Sequence, residues 1–184
     1  DHKRVGEGDS GPNTGGMGAF APALRPTSEE AAEIARHIVD PILAECRAAG
    51  APYRGVLYIG LMLTTRGPMV LEFNVRLGDP EAQAVLPLLE EDPLALFLAA
   101  ARGALPPERH GGFVKHSGVA ICVILAARGY PAAPESGRTV HGWDRIWPHG
   151  IRLDFAGVER RGGRITTSGG RVVGVTARAE TLER

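Results

Sequence analysis

Leu71-Glu72-Phe73-Asn74-Val75-Arg76-Leu77-Gly78-Asp79-Pro80-Glu81 is the most informative stretch of this 184-residue chain. Its first six residues alternate between apolar and polar, which predicts a strand whose successive side chains point to opposite faces. Leu71, Phe73 and Val75 are expected to face a core, while Glu72, Asn74 and Arg76 share the other face. Residues two apart on a strand lie roughly 6.5–7 Å from each other. A carboxylate and a carboxamide oxygen at that spacing can converge on one hard cation. Mg²⁺ suits such a pair, since it takes oxygen ligands at about 2.0–2.1 Å and fills its remaining positions with waters or phosphate oxygens. Arg76, next along, is placed to fork onto a phosphate. The same alternation also fits a solvated edge strand in which Glu and Arg merely pair. Gly78 and a helix start at Asp79-Pro80 favour the first reading, because a helix N-terminus offers free N–H groups and partial positive charge to an anion.

Upstream, Gly55–Leu63 reads as a partner strand, with Thr64–Pro68 as the hairpin turn. Residues 28–49 read as a helix, with Thr27 and Glu30 in a capping-box pattern, Gly50 at its end and Pro41 inside to kink or divide it. Downstream, Asp79-Pro80 and Asp92-Pro93 each pair an N-cap residue with proline at the first helical position, and Gly103 stops the second helix. Leu105-Pro106-Pro107 reads as a linker. Beyond it, glycine-rich turns separate the β-like runs Val114–Leu125, Arg138–His141, Ile151–Phe155, Arg164–Thr166 and Arg171–Ala177. The predicted fold class is α+β, with an antiparallel sheet and helices over residues 1–107 and a small, mostly β domain over 108–184.

Residues 1–26 are dense in Gly, Pro, Asn and Asp and read as loop. They contain a GxGxxG match at Gly6, Gly8 and Gly11, but no strand precedes it in the chain, and Pro12-Asn13 and Gly15-Gly16 stand where a helix should open. A dinucleotide site is therefore rejected, and no GK[ST] follows. Turn N–H groups of such a segment can wrap an anion, with Asn13 and Thr14 adding donors; the composition fits a mobile surface loop equally well.

Lys and Arg number 21 against 21 Asp and Glu. A zero balance removes the electrostatic footprint expected of a nucleic-acid binder. The longest apolar run, Val119 to Ala127, is too short for a bilayer, which needs roughly 20 residues. No signal-peptide pattern is visible, so a cytoplasmic location is the default expectation and no membrane partner is predicted. Cys46 and Cys122 read as buried thiols. The six histidines match no zinc-ligand spacing. Trp143 and Trp147 read as core anchors of the β part, and Arg160-Arg161 with Arg164 as a solvated turn.

Two stretches together resemble one family. Asp1-His2-Lys3-Arg4-Val5-Gly6, with Gly11-Pro12-Asn13-Thr14-Gly15-Gly16-Met17-Gly18-Ala19, is similar to the glycine-rich segment of the phosphoribosylamine–glycine ligases, which are of the ATP-grasp type. Gly55-Val56-Leu57-Tyr58, Gly60-Leu61-Met62 and the Glu72–Glu81 stretch resemble the metal-bearing hairpin of that family. Ser168-Gly169-Gly170-Arg171-Val172 matches a turn in its carboxyl-terminal β domain. The resemblance runs along essentially the whole chain.

It implies that ATP phosphorylates the carboxylate of glycine to an acyl phosphate, which the amine of 5-phosphoribosylamine attacks, giving the amide, ADP and phosphate. Carried over by this resemblance, Glu72 and Asn74 would hold Mg²⁺ or Mn²⁺ on the ATP phosphates. Arg76 would stabilise charge on the transferring phosphoryl group. Lys3, with Asn13, Thr14, Gly15, Gly16, Met17 and Gly18, would close over the substrates, and Asp79 and Glu81 would grip the glycine ammonium. Leu77 stands where the family often has phenylalanine, and a histidine often found near the counterpart of Phe155-Ala156-Gly157-Val158 is missing, so no site is assigned there. The family carries an amino-terminal domain and the first half of the ATP-grasp fold before the counterpart of Asp1, and a helical stretch that continues past that of Arg184. That missing amino-terminal part is the expected partner, supplying the adenine clamp and phosphate-binding lysines, and the 184 residues alone are expected neither to bind ATP tightly nor to turn over. The alternatives are another ATP-grasp ligase or carboxylase sharing the Glu-x-Asn metal logic, and a non-catalytic module that keeps the fold.

Overall fold

A computed structural model of the chain describes residues 1–23, 27–106 and 116–182. The boundary expected near residue 107, the first residues of the predicted Val114–Leu125 run, and His110 lie outside them. The described part is α+β, with antiparallel strand pairing throughout. Two compact units interleave along the chain. The first comprises Asp1–Ala23, Asp79–Leu88 and Ser117–Arg184, and the second Leu24–Gly78 and Leu89–His116.

The first unit is built on a five-stranded sheet. It contains β1 (His2–Gly6), β2 (Ser10–Ala21), β5 (Val119–Ala126), β6 (Ile151–Phe155) and β9 (Arg171–Ala179), in the order β1-β2-β5-β9-β6. Strand β5 alternates strictly: Ala120, Cys122 and Ile124 are buried while Ile121, Val123 and Leu125 are exposed. The buried face receives the short helix α3 (Glu81–Val85), whose Ala84, with Leu88 just beyond, packs against Ala19, Ala21 and Ala120. Small residues line this contact because helix and sheet backbones approach closely. A separate hairpin, β7 (Val158–Arg161) and β8 (Arg164–Thr167), turns through Gly162 and Gly163, both at positive φ as a two-residue turn of this hand requires.

Strands β1 and β2 correct the expectation of a loop over residues 1–26, of which 24–26 lie outside the described residues. Glycine and proline weaken a strand by propensity, but here close approach outweighs that cost. A Cβ on Gly18 would lie 2.9 Å from the Cys122 carbonyl oxygen, so only glycine lets β2 pair with β5 at that point.

The second unit holds the helical segment and a hairpin. Thr27 and Glu30 form the predicted capping box on α1 (Ser28–Ile34). The predicted break at Pro41 takes the form of a π-turn over Ala35–Val39, followed by α2 (Asp40–Ala48). Proline lacks the N–H that would continue the ladder. Helix α4 (Pro93–Arg102) is capped by the Asp92 carboxylate, which accepts from Leu94 N, and ends on Gly103 in the left-handed conformation, as expected. Strands β3 (Tyr58–Thr64) and β4 (Gly67–Asn74) form the predicted hairpin.

Further expectations are corrected. Leu71, Phe73 and Val75 are 55%, 46% and 76% exposed, not core, since two strands by themselves cannot enclose a face. Arg138–His141 forms no strand; Thr139 makes only an isolated bridge to Thr166. Trp147 is exposed. Trp143 packs edge-on to Phe155 with ring centres 6.4 Å apart and the Arg160 guanidinium 5.6 Å from its ring. Arg160 and Arg161 belong to β7, and the turn they were expected to form is Gly162-Gly163.

Candidate active site

The candidate residues fall into two groups, one on each unit. On the second unit, Glu72 pairs across the hairpin with Gly60, and Asn74 with Tyr58. The ladder slips between Gly60 and Leu61, so that Val70 opposes Leu61 and Leu71 is the extra residue of a bulge. The slip falls before Glu72. The alternation from Glu72 to Asn74 is therefore intact, and both residues share the face that carries Tyr58 and Gly60. Glycine at position 60 leaves room for the acid, since a Cβ there would lie 3.1 Å from Glu72 Cγ. Glu72 is exposed and Asn74 half-buried.

Two hard oxygen donors two residues apart fit a cation that takes its remaining ligands from phosphate and water. An all-protein cage is not offered: among the described residues, no group of three or more His, Cys, Asp or Glu could hold a metal. Arg76 lies beyond the end of β4, and its Nη1 donates to Leu77 O at 2.8 Å.

On the first unit, the glycine-rich segment has a definite path. His2 pairs with Gly18 and Arg4 with Asn13. Two steps along β1 therefore match five along β2, and the three surplus residues make Thr14–Met17 leave the ladder as a wide bulge. Thr14 Oγ1 donates to Lys3 O at 2.7 Å and accepts from Gly16 N at 3.0 Å. Gly15 N donates to the Tyr130 hydroxyl at 3.1 Å. The N–H groups of Gly15 and Gly16 are thus already engaged within the protein, so the bulge is no ready-made anion nest. Lys3 is half-buried, and its Nζ lies 2.9 Å from Asp1 Oδ2.

Asp79 departs from its expected place as a helix N-cap. Pro80 occupies that position, without a side-chain cap, and α3 is only five residues long. The Asp79 carboxylate accepts instead from Gln83 Nε2 at 3.0 Å and from Arg171 Nη1 and Nη2, each at 3.2 Å. A helix this short supplies little of the dipole expected at its start. Glu81, half-buried, is its first residue.

Sequence reasoning missed two residues that meet this segment, Tyr130 and Arg171. The signal was Gly169-Gly170 immediately before Arg171. A Cβ on Gly170 would lie 2.2 Å from the Tyr130 ring, so only glycine lets the edge of that ring approach the backbone this closely. Neither cysteine adds chemistry. Cys46 is half-buried and free; Cys122 is fully buried, and desolvation pushes its thiol up, which disfavours the reactive thiolate.

The comparisons with known proteins agree along the whole length. The model for the phosphoribosylglycinamide synthetase ATP-grasp (A) domain matches residues 1–82, and that for the C domain of the same synthetase matches residues 120–184. The chain belongs to the phosphoribosylglycinamide synthetase family. It is 42% identical to the phosphoribosylamine–glycine ligase of Mesorhizobium japonicum over 99% of its own length and 42% of the relative's. The crystal structure of the phosphoribosylamine–glycine ligase of Thermotoga maritima superposes with a TM-score of 0.81 at 39% identity, covering the whole chain and 44% of that protein. The biotin carboxylase domain of the 2-oxoglutarate carboxylase of Hydrogenobacter thermophilus, only 19% identical, shares the fold with a TM-score of 0.57 over 91% of the chain. This member of the family spans 41% to 43% of the length of the curated relatives it matches. Among the described residues, no helix is long and apolar enough to cross a membrane.

Proposed function

We propose that this chain forms part of an ATP-dependent ligase that joins glycine to 5-phosphoribosylamine in purine biosynthesis, through a glycyl phosphate. One carboxylate oxygen of glycine bonds to the γ-phosphorus of ATP as the bond to the bridging oxygen breaks and ADP leaves. The amine nitrogen of 5-phosphoribosylamine then bonds to the activated carbon, loses a proton, and phosphate departs with the carboxylate oxygen. The observation that carries this reading is the placement of Glu72 and Asn74 on one face of β4, opposite Gly60 and Tyr58, in a chain of this family.

Glu72 and Asn74 would hold Mg²⁺ or Mn²⁺, which when bound neutralises phosphate charge. Arg76 would meet the oxygens of the transferring phosphoryl group, where its fork stabilises the charge that builds up during transfer. Lys3, with residues 13–18, would line the substrate side. Asp79 would meet the glycine ammonium with the lone pairs that Arg171 and Gln83 leave, since an ionised carboxylate has about four acceptor sites. Glu81 would assist it. The sequence division near residue 107 would separate the ATP-grasp part from the carboxyl-terminal domain, and the location would be cytoplasmic.

The rest of the catalytic machinery would come from the remainder of a full-length enzyme of which this chain is part. In that enzyme, ADP release should require both glycine and 5-phosphoribosylamine and should not respond to bicarbonate. The isolated 184 residues should show no turnover. Bicarbonate-dependent ADP release would assign the chain to a carboxylase instead, and absence of any ATP turnover would leave a non-catalytic module.

A further inference from the structure

Arg171 opens β9 opposite Ala126, and its backbone is held firmly: its carbonyl accepts from Gly157 N at 2.7 Å, while Gly170 O accepts from Ala127 N at 2.8 Å. Its side chain, 22% exposed, leaves the sheet and reaches two segments distant in sequence. Nη1 lies 3.0 Å from Gly15 O, 3.4 Å from Gly16 O and 2.8 Å from Asp79 O. Both Nη1 and Nη2 contact the Asp79 carboxylate at 3.2 Å. One guanidinium thus joins the Thr14–Met17 bulge to the Asp79 turn. Tyr130 holds the same bulge from its N–H side, through Gly15.

We propose that Arg171 is a positioning residue, which sets the path of the Gly15-Gly16 backbone and the orientation of the Asp79 carboxylate. Nothing in the resemblance assigned it a role. A planar fork with five N–H donors satisfies carbonyls and a carboxylate lying in different directions; an ammonium on a flexible stem fixes no such angle. The bulge has lost its ladder partners over three residues, so these side chains replace the lost strand pairing as the source of its geometry. The consequence for turnover rests on the ligation proposed above, because Asp79 and the bulge are the segments assigned to the amino acid and amine. Glu72 and Asn74, the proposed phosphate-side ligands, belong to the other unit. Losing Arg171 should therefore affect substrates selectively.

The test uses the full-length enzyme with Arg171→Met and Arg171→Lys. For both variants, KM for glycine or 5-phosphoribosylamine should rise about 10- to 50-fold, the range expected of misplacement by an ångström or less, with KM for ATP nearly unchanged. Hydrogen exchange at the Gly15 and Gly16 amides should speed up, while the β5 amides keep their protection. A loss of kcat with every KM unchanged would mean a smaller folded fraction and would overturn the proposal. Full rescue by lysine would overturn the role of the fork. Exchange at Gly15 and Gly16 equal to wild type would overturn it as well. Should the wild-type enzyme release no glycine-dependent ADP, the ligation reading fails by itself, and the exchange measurement still decides whether Arg171 orders the bulge.

Discussion

Replacing Glu72 by alanine in the full-length enzyme is expected to lower glycine-dependent ADP release by about 10²- to 10³-fold, the loss typical of removing one preorganised group from a site of developing charge. Stability should hardly change. Glu72 is exposed, and the hairpin that carries it is held by a backbone ladder that runs on both sides of the Leu71 bulge. Exposed substitutions away from caps and buried networks are usually within about 0.5 kcal/mol. The denaturation midpoint should therefore match wild type while turnover collapses. Loss of both together would indicate a structural role for the acid. Turnover within about twofold of wild type would move metal ligation elsewhere on the chain.

The second large effect is expected at Gly16. Its φ of +109° is a conformation that residues with a Cβ rarely adopt, and an added Cβ would lie 2.6 Å from Pro80 Cδ and 3.2 Å from Asp79 O. Pro80 is almost wholly buried and cannot give way. Gly16→Ala must therefore shift the bulge, at a cost of about 1–3 kcal/mol for the backbone alone. Turnover should fall about 10²-fold, as an ångström of misplacement implies. Gly8→Ala is the informative control. Gly8 also has positive φ (+63°), but nothing lies within 4 Å of its Cβ position. It carries backbone strain without the clash, so it should cost stability while leaving KM values intact. Equal behaviour of the two variants would show that the contact with Pro80 has no bearing on the site.

Elements specified by neighbouring residues were legible in the sequence. The Thr27–Glu30 box, the Asp92-Pro93 start and the Gly103 stop each follow from interactions within a few residues. That Glu72 and Asn74 share one face was legible too, since strand alternation is a local property. Some elements made by distant contacts were not, although β5, β6 and β9, which pair far apart in the chain, were read as β-runs. Strands β1 and β2 look like loop because their glycines signal turns, whereas Gly18 serves close approach to β5, far along the chain. Strand β7 was hidden by its arginines, which suggested a solvated turn while Val158–Arg161 paired with β8.

The glycine-rich segment shows the limit most clearly. Its residue types announced a special backbone, but the groups that shape it come from Tyr130, 115 residues away from Gly15, and Arg171, 156 residues away. No periodicity links positions so far apart. Asp79 was misassigned for a related reason: an acid before proline has the local signature of an N-cap, and a guanidinium from β9 claims it instead.

Glu72 and Asn74 are proposed to ligate together the cation that accompanies ATP. Mn²⁺ titration of the full-length enzyme by electron paramagnetic resonance, with a non-hydrolysable ATP analogue present, tests it most directly. Glu72→Gln and Asn74→Ala should each weaken Mn²⁺ binding by at least about tenfold, since loss of a ligand should cost no less than loss of an outer-shell partner. Mn²⁺ affinity equal to wild type in both variants would contradict the claim.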